Sequence, residues 1–503
     1  MGSTWRRRAL PPALVLLAVT GCEGPSDARP EPTGSPSTTV ARVCAEPEAG
    51  PATAPAGAVT VDPAVAGDLA TKTKSSPPNT TFWLRPGRHT LAPDRYAQIL
   101  PKKGNTYLGA PGAVLDGRGT NQYAFGGTAP DVTLRHLTVQ NFVAPHNEGV
   151  VNHDSADGWV IEHAVIQNNS GAGLMAGARQ QVRANCLRDN GQYGMNAYKA
   201  GGPLRDLVVE GNEITGNNTG DWERKRPGCG CTGGIKFWSV DGADVRGNWV
   251  HDNRGPGLWA DTNNNDFRVE RNVIEANDGA ALIYETSYNA VVRENTIRRN
   301  NWVEGRKYAD RGDTFPFATV YLSESGGEPR VPARTDRIEI YRNVLENNWS
   351  GITLWENADR FCNSPANTSS GDCTLLVEDT DRCARPGIAT APLYGDCRWK
   401  TQRVDIHDNR FVLDRSVVGC AAQCARMAVL ANYGTYPDWS PYQGERVAEA
   451  ITLRQHNRWY DNVYVGPWTF VAHDPSRVLD AGQWQGAPYR QDAGSTFRAR
   501  KGG

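Results

Sequence analysis

Apolar residues recur at alternate positions along most of this chain, and each short alternating run closes on an asparagine. Residues 269–278 read VERNVIEAND and residues 292–301 read VRENTIRRNN. The two phrases hold Val269 with Val292, Asn272 with Asn295, Ile274 with Ile297 and Asn277 with Asn300, 23 positions apart, while the residues between them vary. Alternation over so few residues predicts a short strand with one buried face. A retained asparagine at its end predicts a turn.

From about residue 132 the phrase returns as VTLRHLTVQNF, WVIEHAVIQNN, QVRANCLRDNG, LVVEGNEITGNN, DVRGNWVHDN, FRVERNVIEAND, VVRENTIRRNN, IEIYRNVLENN, VDIHDNRFVLD and, more weakly, LRQHNRWYDN. The closest spacings, 24 from Asn248 to Asn272 and 23 from Asn272 to Asn295, are too short for a propeller blade, and no leucine-rich consensus accompanies them. Most copies lead into a second strand phrase such as GLWAD, ALIYE or ITLWE. A unit this small cannot bury its own apolar face and must stack on further copies of itself. Stacked parallel strands would turn Val, Ile and Leu inward and set one turn asparagine above the next, where the amides can bond to each other.

The pattern therefore predicts an all-β chain, a solenoid of about ten or more coils with inserted loops. Two strand–turn–strand patterns precede the repeats, FWLRPGRHTL at 82–91 and NTYLGAPGAVLDG at 105–117, and Ala64 to Lys72 suits a short covering helix. Insertions break the stack at 220–233, 301–317 and 359–403. Long loops on a rigid scaffold wall a site or form a cap. The expected layout is a leader at 1–21, an extended tether at 22–55, a cap with the first coils at 56–131, the interrupted stack at 132–466 and a C-terminal tail or cap at 467–503.

Composition agrees with many turns and short strands: 53 Gly, 32 Pro and only 4 Met in 503 residues. The leader, MGSTWRRRALPPALVLLAVTGC, has an arginine run, an uncharged stretch and small residues before Cys22, as an export signal does. Its apolar stretch is too short to be a permanent membrane span. Losing those arginines moves the formal charge from −1 to about −4, which leaves no basic bias toward nucleic acid. Ten cysteines remain besides Cys22, and in an exported chain an even number favours disulfides over metal clusters. CGC at 229–231 lacks a second matching pair and is also read as disulfide.

Taken together, the repeats and NTYLGAPGAVLDG resemble the right-handed parallel β-helix proteins of the pectin-lyase-like superfamily, over residues 82 to 466. The stretch Val19 to Cys22 resembles the lipobox of bacterial lipoproteins, which implies lipidation of Cys22 and a chain held on the outer face of the cell membrane. Neither the paired-aspartate and His-Gly pattern of polygalacturonases nor the arginine motifs of well-known pectate lyases is present. No catalytic residue is carried over from those families.

Candidate chemistry comes instead from register. Thirteen residues beyond Asn248, Asn272 and Asn343 stand Asp261, Glu285 and Glu356, and Glu324 joins this column if the insertion after Asn300 is looped out. Aligning on the inward apolar residues instead shifts Glu324 and Glu356 by one place and keeps Asp261 beside Glu285. Adjacent coils lie about 4.8 Å apart, so this pair falls near the ~5 Å carboxylate separation of retaining glycosidases. Crowded like charges raise one pKa. The expectation is Glu285 as acid and Asp261 as nucleophile.

Tyr198, Trp238, Trp259, Tyr321 and Trp355, with Lys199 and Lys236, surround the pair on neighbouring coils. Aromatic faces beside polar groups suit sugar rings, and the chain carries 15 tryptophans. A polysaccharide is the expected partner of a monomeric protein that needs no cofactor. The alternative enzyme is a Ca²⁺-dependent lyase with the ion between Asp261 and Glu285 and Lys236 or Arg254 as base. The alternative class is a surface protein that binds glycan without cleaving it. His153, Asp154, His163 and His251 are read as turn residues that hydrogen-bond locally.

Overall fold

The computed structural model describes residue 40 and residues 42–499, other than 231, 314, 368–371, 386, 422, 433, 443, 444 and 475. The expected leader, Cys22 and the first part of the expected tether lie outside the described residues. Each coil runs through three short strands, for example Asn265–Glu270, Val273–Glu275 and Leu282–Glu285. These feed three long sheets of 13, 13 and 11 strands. Val269 pairs with Val292 and Ile274 with Ile297 in parallel register, so each repeat sits directly over its copy. The strand Val478–Leu479 is antiparallel to Thr469–Ala472 and closes the third sheet. All four repeated apolar side chains are at most 3% exposed.

The asparagines form two ladders at the corners of the second sheet. Asn272 Nδ2 donates to Asn295 Oδ1 at 3.0 Å and to the Val245 carbonyl at 2.9 Å, while its Oδ1 accepts from the backbone N–H and the Nδ2 of Asn248. The same bonding runs from Asn185 to Asn462 in one ladder and from Asn169 to Asn348 in the other. In every rung the residue before the asparagine has positive φ, as at Arg271, Ala276, Glu294 and Arg299. Left-handed backbone makes the sharp corner and costs roughly 1–2 kcal/mol outside glycine. Each buried asparagine offsets that cost through hydrogen bonds worth about 1 kcal/mol apiece.

The insertions depart from two sides of the third sheet. Residues 220–233, with the helix Trp222–Lys225, and 301–317, with the helix Trp302–Asp310, leave between the second and third sheets. Residues 359–403 leave between the third sheet and the first and are stapled by Cys362–Cys373 and Cys383–Cys397. Disulfides Cys44–Cys186 and Cys420–Cys424 are also present, and Cys229 is disulfide-bonded.

Three boundaries differ from those expected. Residues 42–55 are no tether: Cys44 is bridged to Cys186, its N–H donates to Glu213 Oε2 at 2.8 Å, and Trp83 Nε1 donates to the Pro51 carbonyl. Their low apolar content hid a segment fastened by a covalent bond. The covering helix is Asp68–Ser75, later than expected. The solenoid continues past 466, where Thr469–Ala472 and Thr496–Arg498 extend two sheets and the helix Ala481–Gln485 closes the end with buried Trp484.

Candidate functional site

Alternation on the third sheet sends every second residue outward, and parallel register lines these up in columns. One column is Asn196, Lys236, Trp259, Ile283, Tyr321 and Thr353. The next runs through Trp238 and Asp261, then Glu285, Ser323 and Trp355. Over them the insertions rise from both sides to enclose a cleft of about 1820 Å³. Glu223 and Tyr308 stand on one wall, Arg360 and Asp372 on the other.

The floor holds two ion pairs. Lys236 Nζ lies 2.8 Å from Asp261 Oδ2, with both side chains only 10% exposed, and sits over the Trp259 ring at 4.1 Å from its centroid. Thr262 donates to Asp261 Oδ1 through its backbone N–H and its hydroxyl. One coil further, Glu285 accepts from Trp259 Nε1 at 2.9 Å and is in direct contact with the guanidinium of Arg360. Arg360 also reaches Glu324 Oε2 at 3.4 Å. Burial works against the Arg360 charge, but Glu285 and Glu324 together raise its pKa above the usual range.

Two other carboxyls of the cleft have their pKa raised. Burial lifts the Asp372 pKa, and the charge of Asp261 lifts it further against a hydrogen bond from Trp238. Asp278 is also raised, first by burial and then by Glu304. Tyr193 lies buried at the floor, and burial followed by the Asp261 charge pushes its phenol well above its ordinary value. Asp261, paired with Lys236, thus shares a tryptophan-lined cleft with Asp372, whose pKa is raised.

Of the residues singled out by sequence, Tyr198, Lys199, Lys236, Trp238, Trp259, Asp261, Glu285 and Tyr321 line this cleft. Lys199 is tied to Asp157 Oδ1 at 2.8 Å, at the rim. Glu324 and Glu356 take the shifted alignment and leave the outward column. Glu324 turns inward at a left-handed residue, 1% exposed, and burial brings its pKa to about 7 despite Arg360. Glu356 is buried against Arg398, Thr401 N–H and Gln455, a structural anchor for the third insertion. Trp355 packs under Phe315, away from the cleft.

Glu285, the expected acid, lies in direct contact with Arg360, and the carboxyls of the cleft whose pKa is raised are Asp372 and Asp278. Asp261 and Glu285 each face a cation of the protein itself, so this pair does not fit a Ca²⁺ held between them. His153 stacks on Tyr123, His163 meets Glu48, and His251 bonds Glu213 and Asp252, all outside the cleft. Asp372, Arg360 and Tyr193 were missed because they carry no repeat signal. The one available clue was the cysteine next to Asp372.

The family profile described as "Right handed beta helix region" matches residues 148–331. The chain is a right-handed parallel β-helix protein. No curated protein sequence matches it. Among solved structures, the A-module of a mannuronan C-5 epimerase from Azotobacter vinelandii is 13% identical over 75% of this chain and 96% of that one, with a TM-score of 0.43. The catalytic unit of an α-1,3-glucanase from Streptomyces thermodiastaticus is 12% identical over 90% and 69%, with a TM-score of 0.40. The pectate lyase Pel9A is 11% identical over 57% and 69%, with a TM-score of 0.31. No functional residue of this β-helix is assigned from them.

Proposed function

We propose that this β-helix protein is a carbohydrate-active enzyme that takes a glycan into the third-sheet cleft and hydrolyses a glycosidic bond. The observation that carries this reading is a pair of aspartates in one cleft, Asp261 ion-paired with Lys236 and Asp372 partly buried with its pKa raised. Glycoside hydrolysis needs one carboxylic acid to protonate the leaving oxygen and one carboxylate to act as base or nucleophile. Asp372 serves as the acid, and Asp261, oriented by Lys236 and Thr262, serves as the carboxylate. Trp238 and Trp259 offer indole surface for the apolar faces of sugar rings.

We also propose export, with lipidation at Cys22. The N-terminal sequence supports it, and four described disulfides need an oxidising compartment.

The test is a cleavage assay of wild type, Asp261→Asn and Asp372→Asn on neutral and uronic acid polysaccharides, following reducing ends and the absorbance of unsaturated uronates. New reducing ends without unsaturation are expected, reduced on the order of 10²- to 10⁴-fold in each variant. Full turnover by Asp372→Asn would remove the assignment. Unsaturated product lost on chelation would instead favour a lyase.

A further inference from the structure

The floor of the cleft is closed at both ends along the solenoid axis. Beyond Tyr321 the next outward positions are Thr353 and Trp355. The end of the second insertion lies on both: Thr353 Oγ1 donates to the Pro316 carbonyl at 2.9 Å, and the Phe315 ring meets Trp355 edge to face at 5.4 Å between centroids. Phe315 joins Trp355, Ala428, Leu430 and Val471 in one apolar cluster, so the segment is packed down on that coil. Thr353 is fully buried as a result.

At the other end, Asn196 Nδ2 donates to the Asn147 carbonyl at 3.2 Å. Gln192 holds Asn147 through two further bonds, of 2.7 and 2.8 Å. Met175, the next residue in register after Asn196, is only 5% exposed. The floor that lines the cleft runs from Asn196 through Lys236, Trp259 and Ile283 to Tyr321 and does not include Met175. Four steps of about 4.8 Å give a length of about 19 Å, with Asp261 on the middle coil and about 10 Å of floor on either side.

We infer that the cleft takes a chain end or a short oligosaccharide, not the interior of a polymer lying along the axis. This inference rests on the glycan reading above and restricts it. A long chain running along the floor would meet the 315–317 segment in one direction and the 146–148 loop in the other. A terminus, in contrast, can enter from above, reach one end wall and place a bond near Asp261. Cleavage would then release short products from the terminus.

The deciding measurement is binding, which does not depend on turnover. The intact protein is titrated with linear cello-, xylo-, laminari- and mannuronate hexasaccharides, each free, labelled with a bulky fluorophore at one end, or labelled at both. Double labelling is expected to weaken binding by at least about tenfold relative to the free sugar, and labelling of one particular end to account for most of that loss. In Phe315→Gly/Thr353→Ala, which loosens one end wall, the penalty for labelling the end that abuts it should shrink to about threefold or less.

Equal binding of free and doubly labelled sugars by the wild-type protein overturns the inference and leaves hydrolysis standing. End-sensitive binding without turnover overturns hydrolysis and leaves the inference standing. Binding of none of the sugars overturns both.

Discussion

Glu324 offers the sharpest physical test, because its environment makes it a buried acid that releases its proton late. Its Oε1 accepts the Asn357 N–H at 2.7 Å, its Oε2 accepts the Ser323 hydroxyl at 2.6 Å, and Arg360 lies 3.4 Å away. Burial outweighs that cation and raises the pKa from 4.5 to about 7. The folded chain therefore holds this proton more tightly than the unfolded one. Its stabilising contribution is complete below about pH 4.5 and is lost as the pH climbs through 7. At 1.36 kcal/mol per unit the loss is at most about 3 kcal/mol.

Glu324→Gln keeps an acceptor for Asn357 and abolishes the titration. Wild type and variant should be similar in stability near pH 4.5, and the variant should lead by up to about 3 kcal/mol at pH 8. Urea midpoints followed by tryptophan fluorescence at four pH values measure the difference, with unchanged slopes required for the comparison. Other titrating groups cancel between the two proteins. A difference that stays flat from pH 4.5 to 8 refutes the reasoning. A lead for wild type at high pH would show that the attraction of Arg360 wins over burial.

Asn272→Ala removes four hydrogen bonds and leaves the Asn248 N–H and the Val245 carbonyl buried without that partner, so it should cost about 2–4 kcal/mol in urea unfolding. A loss below about 0.5 kcal/mol would mean that the ladder contributes little. Lys236→Met strands the buried Asp261 carboxylate and should destabilise by about 3 kcal/mol at pH 7. Adding Asp261→Asn should restore part of that loss, and strict additivity in the double-mutant cycle would deny the coupling. Cys362→Ser/Cys373→Ser opens the bridge whose two cysteines closely follow Arg360 and Asp372 in the chain. If these residues act as proposed, kcat should fall about ten- to a hundredfold with the circular dichroism of the solenoid unchanged, and full activity would argue that the loop is positioned without its disulfide.

Sequence and structure agree wherever the information is periodic. Val269, Asn272, Ile274 and Asn277 repeat because each coil must repeat the same contacts one step further along the axis, so the fold and the ladders were both legible. The corner geometry was only half legible. The asparagine is retained, whereas the left-handed residue before it is as varied as Arg271, Ala276 and Glu294, since strain there is set by the turn and not by one residue type. Between two admissible alignments of Glu324 and Glu356, only the observed pairing of Glu285 with Ser323 decided the matter.

The chain by itself thus determined the solenoid, its inward face and the outward positions of Lys236, Trp238, Trp259 and Asp261. Strand alternation and parallel stacking are local rules, and local rules can be read from spacing. Tertiary structure decided what surrounds each carboxyl. Asp261 meets Lys236 from the neighbouring coil, Glu285 meets Arg360 from an insertion 75 residues away, and Asp372, next to a disulfide-bonded cysteine, joins Asp261 in the cleft lining. Ionisation depends on burial and on the charges that arrive from distant segments, and these exist only once the coils are stacked and the insertions have closed over them.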